Sequence, residues 1–104
     1  MIAYSTTDIA RGVARAKRDG IRLRETGYRL RYRSTGSEDP AGAYRYEQRL
    51  NEELTAADCT CASINTCKHG AAAISAARKA EARRAARTMR RYQVWQGQVA
   101  AIAA

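Results

Sequence analysis

Every cysteine of this chain, and its only histidine, falls between residues 59 and 70, in the stretch CTCASINTCKHG. Thiolates and an imidazole are the ligands of a tetrahedral divalent metal, zinc first among them. The pattern is C-x-C, five residues, then C-x-H. On an extended strand, side chains at i and i+2 point the same way, so Cys59 and Cys61 can converge on one ion. On a helix those positions lie about 200° apart and diverge. Cys67 must therefore precede a helix, with His69 at or near its first turn and Gly70 giving the junction room. The reading is one structural Zn2+ on Cys59, Cys61, Cys67 and His69.

Charge supports that placement. Three thiolates, a neutral imidazole and a divalent ion sum to one negative charge, which the unpaired N–H groups of a helix N-terminus accommodate. Lys68 is a further compensating cation. A catalytic zinc keeps a position for water and has a base nearby. Here four ligands fill the shell and there is no second histidine. A Cys67–His69 nucleophile pair is formally available, but the two other cysteines favour metal, and no enzymatic activity is expected.

The rest of the composition explains why a staple is needed. At 104 residues the chain has room for one small core. Its 45% hydrophobic content is inflated by alanine, with no Phe and one Trp. An odd number of cysteines and an N-terminus without a signal-like apolar run point to the reducing cytoplasm, where clustered cysteines bind metal more often than they pair. Metal binding in small domains is worth on the order of 10 kcal/mol, enough to exceed such a core. The net charge of +9 is carried mostly by arginine and favours polyanion partners, nucleic acid first. An arginine-rich proteome from a GC-rich genome is the alternative source of that charge.

The elements that must hold the four ligands can be read from periodicity. Residues 1–20 contain a short helix from about Thr7 to Arg18, capped by Thr6, Thr7 or Asp8, with Ile9 and Val13 as its apolar stripe. Residues 21–58 alternate with period two: Ile21 and Leu23, then Tyr28, Leu30 and Tyr32, then Tyr44, Tyr46 and Leu50. That predicts a small antiparallel sheet of two to three strands, interrupted by the polar loop STGSEDPAG. The metal site follows at 59–69 and a long basic helix at 70–93. In that helix Ala71, Ile74, Ala82, Ala85, Met89 and Tyr92 share one side, while Arg78 intrudes and snorkels outward. The tail, 94–104, either packs back through Trp95 or frays. The fold class is α+β in one domain.

A hairpin, then C-x-C, a spacer and C-x-H opening a helix, resembles the SWIM-type zinc finger. The resemblance covers residues 28–77, about half of the chain. It implies zinc ligation by Cys59, Cys61, Cys67 and His69, strands on the Tyr/Arg alternations, and a helix on the alanine run after Gly70. The spacer ASINT is at the compact end of the family's range, and the proline and aromatic residue often found after the second cysteine are absent. SWIM modules are regarded as binding modules for DNA or for other proteins, so the resemblance implies a free-standing binder of one or the other.

Two partner classes follow. For nucleic acid, mainly DNA, the candidate phosphate contacts are Arg29, Arg31, Arg33, Arg45 and Arg49 on the sheet, with Lys79, Arg83, Arg87, Arg90 and Arg91 on the helix. No base-reading set is present, so sequence preference is expected to be low. The other class is a protein–protein adaptor that docks through Tyr92, Trp95 and the tail, the default for Trp95 being packing on its own module. A membrane is not expected: alanine in place of large apolar residues gives the helix too little insertion energy.

Overall fold

The structure, a computed structural model, describes residues 1–103. Its first helix, α1 (Thr6–Arg18), starts one residue earlier than the sequence reading. The cap is Ser5, whose hydroxyl accepts the Asp8 N–H while the Asp8 carboxylate accepts the Ser5 N–H. Asp8 is thus the reciprocal acid of a capping box rather than the cap. Tyr4 and Ile9 flank the box at the spacing of a hydrophobic staple, and both are buried in the core.

The sheet has five strands, where two to three were expected. They are β1 (Ile2–Ala3), β2 (Leu23–Glu25), β3 (Arg31–Ser34), β4 (Tyr46–Leu50) and β5 (Ala56–Cys59). All neighbours are antiparallel, in the order β1-β5-β4-β3-β2. The alternating segments supply β2, β3 and β4, although Tyr28 and Leu30 fall in the turn before β3, with Tyr28 exposed, and Tyr44 precedes β4. The two missed strands lack that signal: β1 is two residues long, and β5 is built on alanine and aspartate, which are depleted in strands. β5 is nonetheless interior to the sheet. Asn51 folds the turn that leads into it, its side-chain oxygen accepting the N–H groups of Thr55 and Ala56.

The second helix, α2 (Lys68–Ala103), is continuous, so the expected break into helix and tail at residue 94 does not occur. Only its first third packs. Ala71, Ala73, Ile74 and Ala77 are buried against the sheet and α1, and together with Tyr4, Ile9, Tyr32, Leu50, Leu54 and Ala57 they form the core. From Ala82 to Ala101 every side chain is exposed. The molecule is accordingly long, 63 × 28 × 23 Å. The apolar side drawn through Ala82, Ala85, Met89 and Tyr92 therefore covers no core, because the sheet beneath α2 ends before those residues. Arg78 behaves as expected, its guanidinium reaching out to donate to the Leu54 carbonyl at 3.0 Å.

Small residues set the spacing of the two helices. A Cβ placed on Gly12 would overlap the Ala71 methyl and approach the backbone at Lys68 and Cys67. Gly12→Ala should push α1 off the start of α2 and cost about 1–3 kcal/mol. Thermal unfolding of the variant checks this: a clear fall in melting temperature is expected, and an unchanged one would place the helices further apart than described.

Candidate metal centre

β5 delivers Cys59 on the same side as Ala57, the side facing the helices, because alternate strand residues share a face. The chain then leaves the sheet, so Cys61, expected beside Cys59 on an extended strand, lies instead in the loop with Cys67, before α2. Cys67 immediately precedes the helix. Its sulfur accepts the Gly70 N–H at 3.3 Å and its carbonyl accepts the Ala71 N–H at 3.1 Å, as a capping residue's would. His69 lies in the first turn. The ligand atoms of Cys59, Cys61, Cys67 and His69 all fall within 4.8 Å of one another. A tetrahedron with metal–sulfur bonds of about 2.3 Å has edges of roughly 3.8 Å, so small side-chain rotations close the set on one ion.

The donors fit a metal in a second respect. His69 is buried, and neither ring nitrogen has a hydrogen-bond partner among the described residues. Buried polar atoms are normally paired, so an imidazole left this way beside three thiols is placed for coordination. A hydrogen bond from Cys59 pushes the Cys67 thiol down, against burial, with the Gly70 N–H and Tyr4 adding to the fall. The same contact and burial push Cys59 up. Thiolate character therefore concentrates on the sulfur at the helix N-terminus, where the dipole favours it.

Three residues around the ligands were not singled out from the sequence. Tyr4 is buried with its hydroxyl on Cys67: the oxygen accepts the Cys67 N–H at 2.9 Å, and its proton has the Cys67 carbonyl at 3.2 Å and sulfur at 3.6 Å in reach. Burial raises the Tyr4 phenol further above its ordinary value, so it stays a neutral donor. Gly70 makes room for it, since a Cβ there would collide with the Tyr4 hydroxyl. Gln48, fully buried, donates through Nε2 to Ser34 at 2.9 Å and to the Cys59 sulfur at 3.5 Å. Tyr46 lays its ring 4.9 Å from that of His69 and donates its hydroxyl to Glu38 at 2.9 Å. The signals were present: Tyr4 holds the staple position before the capping box, and Gln48 is a polar residue at an inward position of β4. Lys68, expected to compensate the cluster, instead pairs with Asp19 at the end of α1, at 2.8 Å.

The arginines and the lysine proposed for nucleic acid do not form one surface. Arg29 precedes β3 and is tied to Glu81 and, at 3.3 Å, to Glu52. Arg45 lies 3.5 Å from Glu38. Arg31, Arg33 and Arg49 stand on the sheet face turned away from α2, with Arg31 directly opposite Arg49 and Arg33 opposite Arg24. Like charges face each other there, although Glu47 and Asp58 lie opposite Arg33 and Arg49 on their other flanks. Lys79 sits at the rim of the groove between α1 and α2. Arg83 lines the same groove at the base of the projecting part of α2, and Arg87, Arg90 and Arg91 lie further out; none of the four makes an ion pair among the described residues.

No protein-family model matches this chain, and no match is found among curated proteins or solved structures.

Two substitutions separate ligation from its support. Cys67→Ser removes a ligand and the helix cap together, and should give a chain that holds no stoichiometric metal and loses its cooperative melting transition; unchanged metal content and melting would contradict the site. Tyr4→Phe keeps the ring in the core and removes only the hydroxyl. It should weaken zinc affinity about tenfold in competition with a chromophoric chelator, whereas equal affinity would confine Tyr4 to packing.

Proposed function

We propose that this chain is a SWIM-type module that holds one structural zinc and binds nucleic acid, mainly DNA, through phosphate contacts with little sequence preference. The four protein ligands complete a tetrahedron and leave no position for a reactive water, so the metal's role in this reading is to hold the fold and not to catalyse.

The observation that carries the reading is the projecting part of α2. It bears Arg83, Arg84, Arg87, Arg90 and Arg91 and, from Ala82 onward, no acidic residue. A solvated helix face is ordinarily balanced by acids; here Arg84 alone reaches one, lying 3.9 Å from Glu81. With about 100° per residue, the five arginines spread over roughly a third of the helix circumference. A helix about 10–12 Å across matches a DNA major groove about 12 Å wide, whose walls are lined with phosphates. Arginine meets phosphate with a planar, bidentate fork that suits this use. Arg31, Arg33 and Arg49 offer a second, weaker anionic contact on the sheet. Arg29 and Arg45, already paired with carboxylates, are the least available of the expected set.

No residue in the projecting helix forms an evident base-reading group, so affinity should be dominated by counterion release. Replacing Arg83, Arg87 and Arg90 together by alanine should leave melting unchanged, weaken binding to random duplex DNA, and reduce the slope of log affinity against log salt by about three. Fluorescence anisotropy at several salt concentrations measures both quantities. Equal affinity and slope in the triple variant would remove the helix from the binding surface.

A further inference from the structure

The arginines use one arc of the projecting helix; a different arc carries large side chains that solvent does not favour. Tyr92 is 51% exposed and Trp95 57%, with Met89 and Val99 also uncovered. Tyr92 and Trp95 stack on each other at 6.1 Å and form a ledge along the helix, and Gln96 donates to the Tyr92 hydroxyl at 3.0 Å. Along this side Ala85, Thr88, Tyr92, Trp95 and Val99 succeed one another at spacings of three, four, three and four. That is the seam of a helix that pairs with another helix, and it contains no charge.

We propose that this seam is occupied by a second copy of the same chain, running antiparallel. The charge distribution selects both the partner and the direction. All five arginines of the projecting part lie between residues 83 and 91, and residues 92–103 are uncharged. A parallel pair would set two arginine clusters side by side. An antiparallel pair lays the basic half of each helix along the neutral half of the other. A two-fold axis between Gln93 and Val94 then matches the seam with itself: Tyr92 of one copy meets Trp95 of the other, and Thr88 meets Val99. Two β-branched residues of similar size meet at the latter pair, while the aromatics cross at the centre. Residues flanking the seam meet without like charges, Arg91 against Gln98 and Met89 against Gln96. The arginines stay outside, so the dimer does not depend on the nucleic-acid reading and does not obstruct it.

Sedimentation velocity on nuclease-treated protein in 0.5 M salt, from about 1 to 100 μM, tests the proposal with nucleic acid excluded. The wild-type chain should pass from monomer to dimer as concentration rises. Trp95→Glu should remain monomeric throughout while keeping the metal content and melting temperature of the body. Gln98→Glu should tighten the dimer several-fold by facing Arg91 across the axis twice, an effect that a parallel pair would lack. A wild-type chain that stays monomeric at 100 μM, a Trp95→Glu chain that dimerises as well as wild type, or a Gln98→Glu dimer no tighter than wild type would each overturn it.

Discussion

The junction between the end of β5 and the first turn of α2 is where the four ligands meet, and the rest of the fold depends on it. The core holds few large aliphatic side chains: among the described residues α2 contributes Ile74 beside three alanines, Ala71, Ala73 and Ala77. Alanine buries little surface, so it stabilises chiefly by letting backbones approach. Close approach needs fixed positions, and one ion held by Cys59, Cys61, Cys67 and His69, drawn from a strand, a loop and a helix, would supply them. Tyr4 extends the junction to the N-terminus. Its ring packs in the core, its hydroxyl holds both the backbone and the sulfur of Cys67, and its own N–H pairs with the Thr55 carbonyl at the entry to β5. The sheet's outer pair β1–β5, the start of α1 and the start of α2 thereby converge on one site.

Legibility from the sequence followed the strength of local patterns. The ligand set and its strand-to-helix setting could be read because C-x-C and C-x-H are sparse and their geometry excludes a helix at the first pair. Strands β2, β3 and β4 alternate Leu or Tyr with Arg or Glu over part of their length, a direct record of one covered and one solvated face. β5 carries Ala-Ala-Asp-Cys, which has no such record; it becomes a strand because β1 and β4 hydrogen-bond it from both sides. The helical register of α2 was also readable, but the point at which it leaves the body was not. An alanine facing a sheet and an alanine facing water look alike in sequence. For the same reason Trp95, for which packing was the default, stands exposed: nothing local says that the sheet has already ended.

α2 is thus one helix with two environments. Its first turns are packed on α1 and the sheet, and they nucleate a helix whose next turns, 82–91, are rich in alanine and arginine, good helix formers, and whose side chains from Ala82 to Ala101 are exposed. Beyond Glu81 the surface is divided along the axis, with arginine first and aromatic and apolar residues after it, and around the axis, with arginine on one arc and the neutral seam on another. In the reading proposed here the first division governs how two copies align, and the second keeps the phosphate-binding arc clear of the pairing seam. Charge that would repel in one arrangement is separated in the other.

The most direct test of the metal junction is elemental analysis of the purified chain, followed by hydrogen exchange of Ala56–Cys59 and Ala71–Ala77 before and after chelation. The account predicts one zinc per chain, and exchange at both segments rising toward that of an unfolded chain once the zinc is withdrawn. A chain that holds no metal as purified, or one stripped of zinc with protection at both segments unchanged, would contradict it.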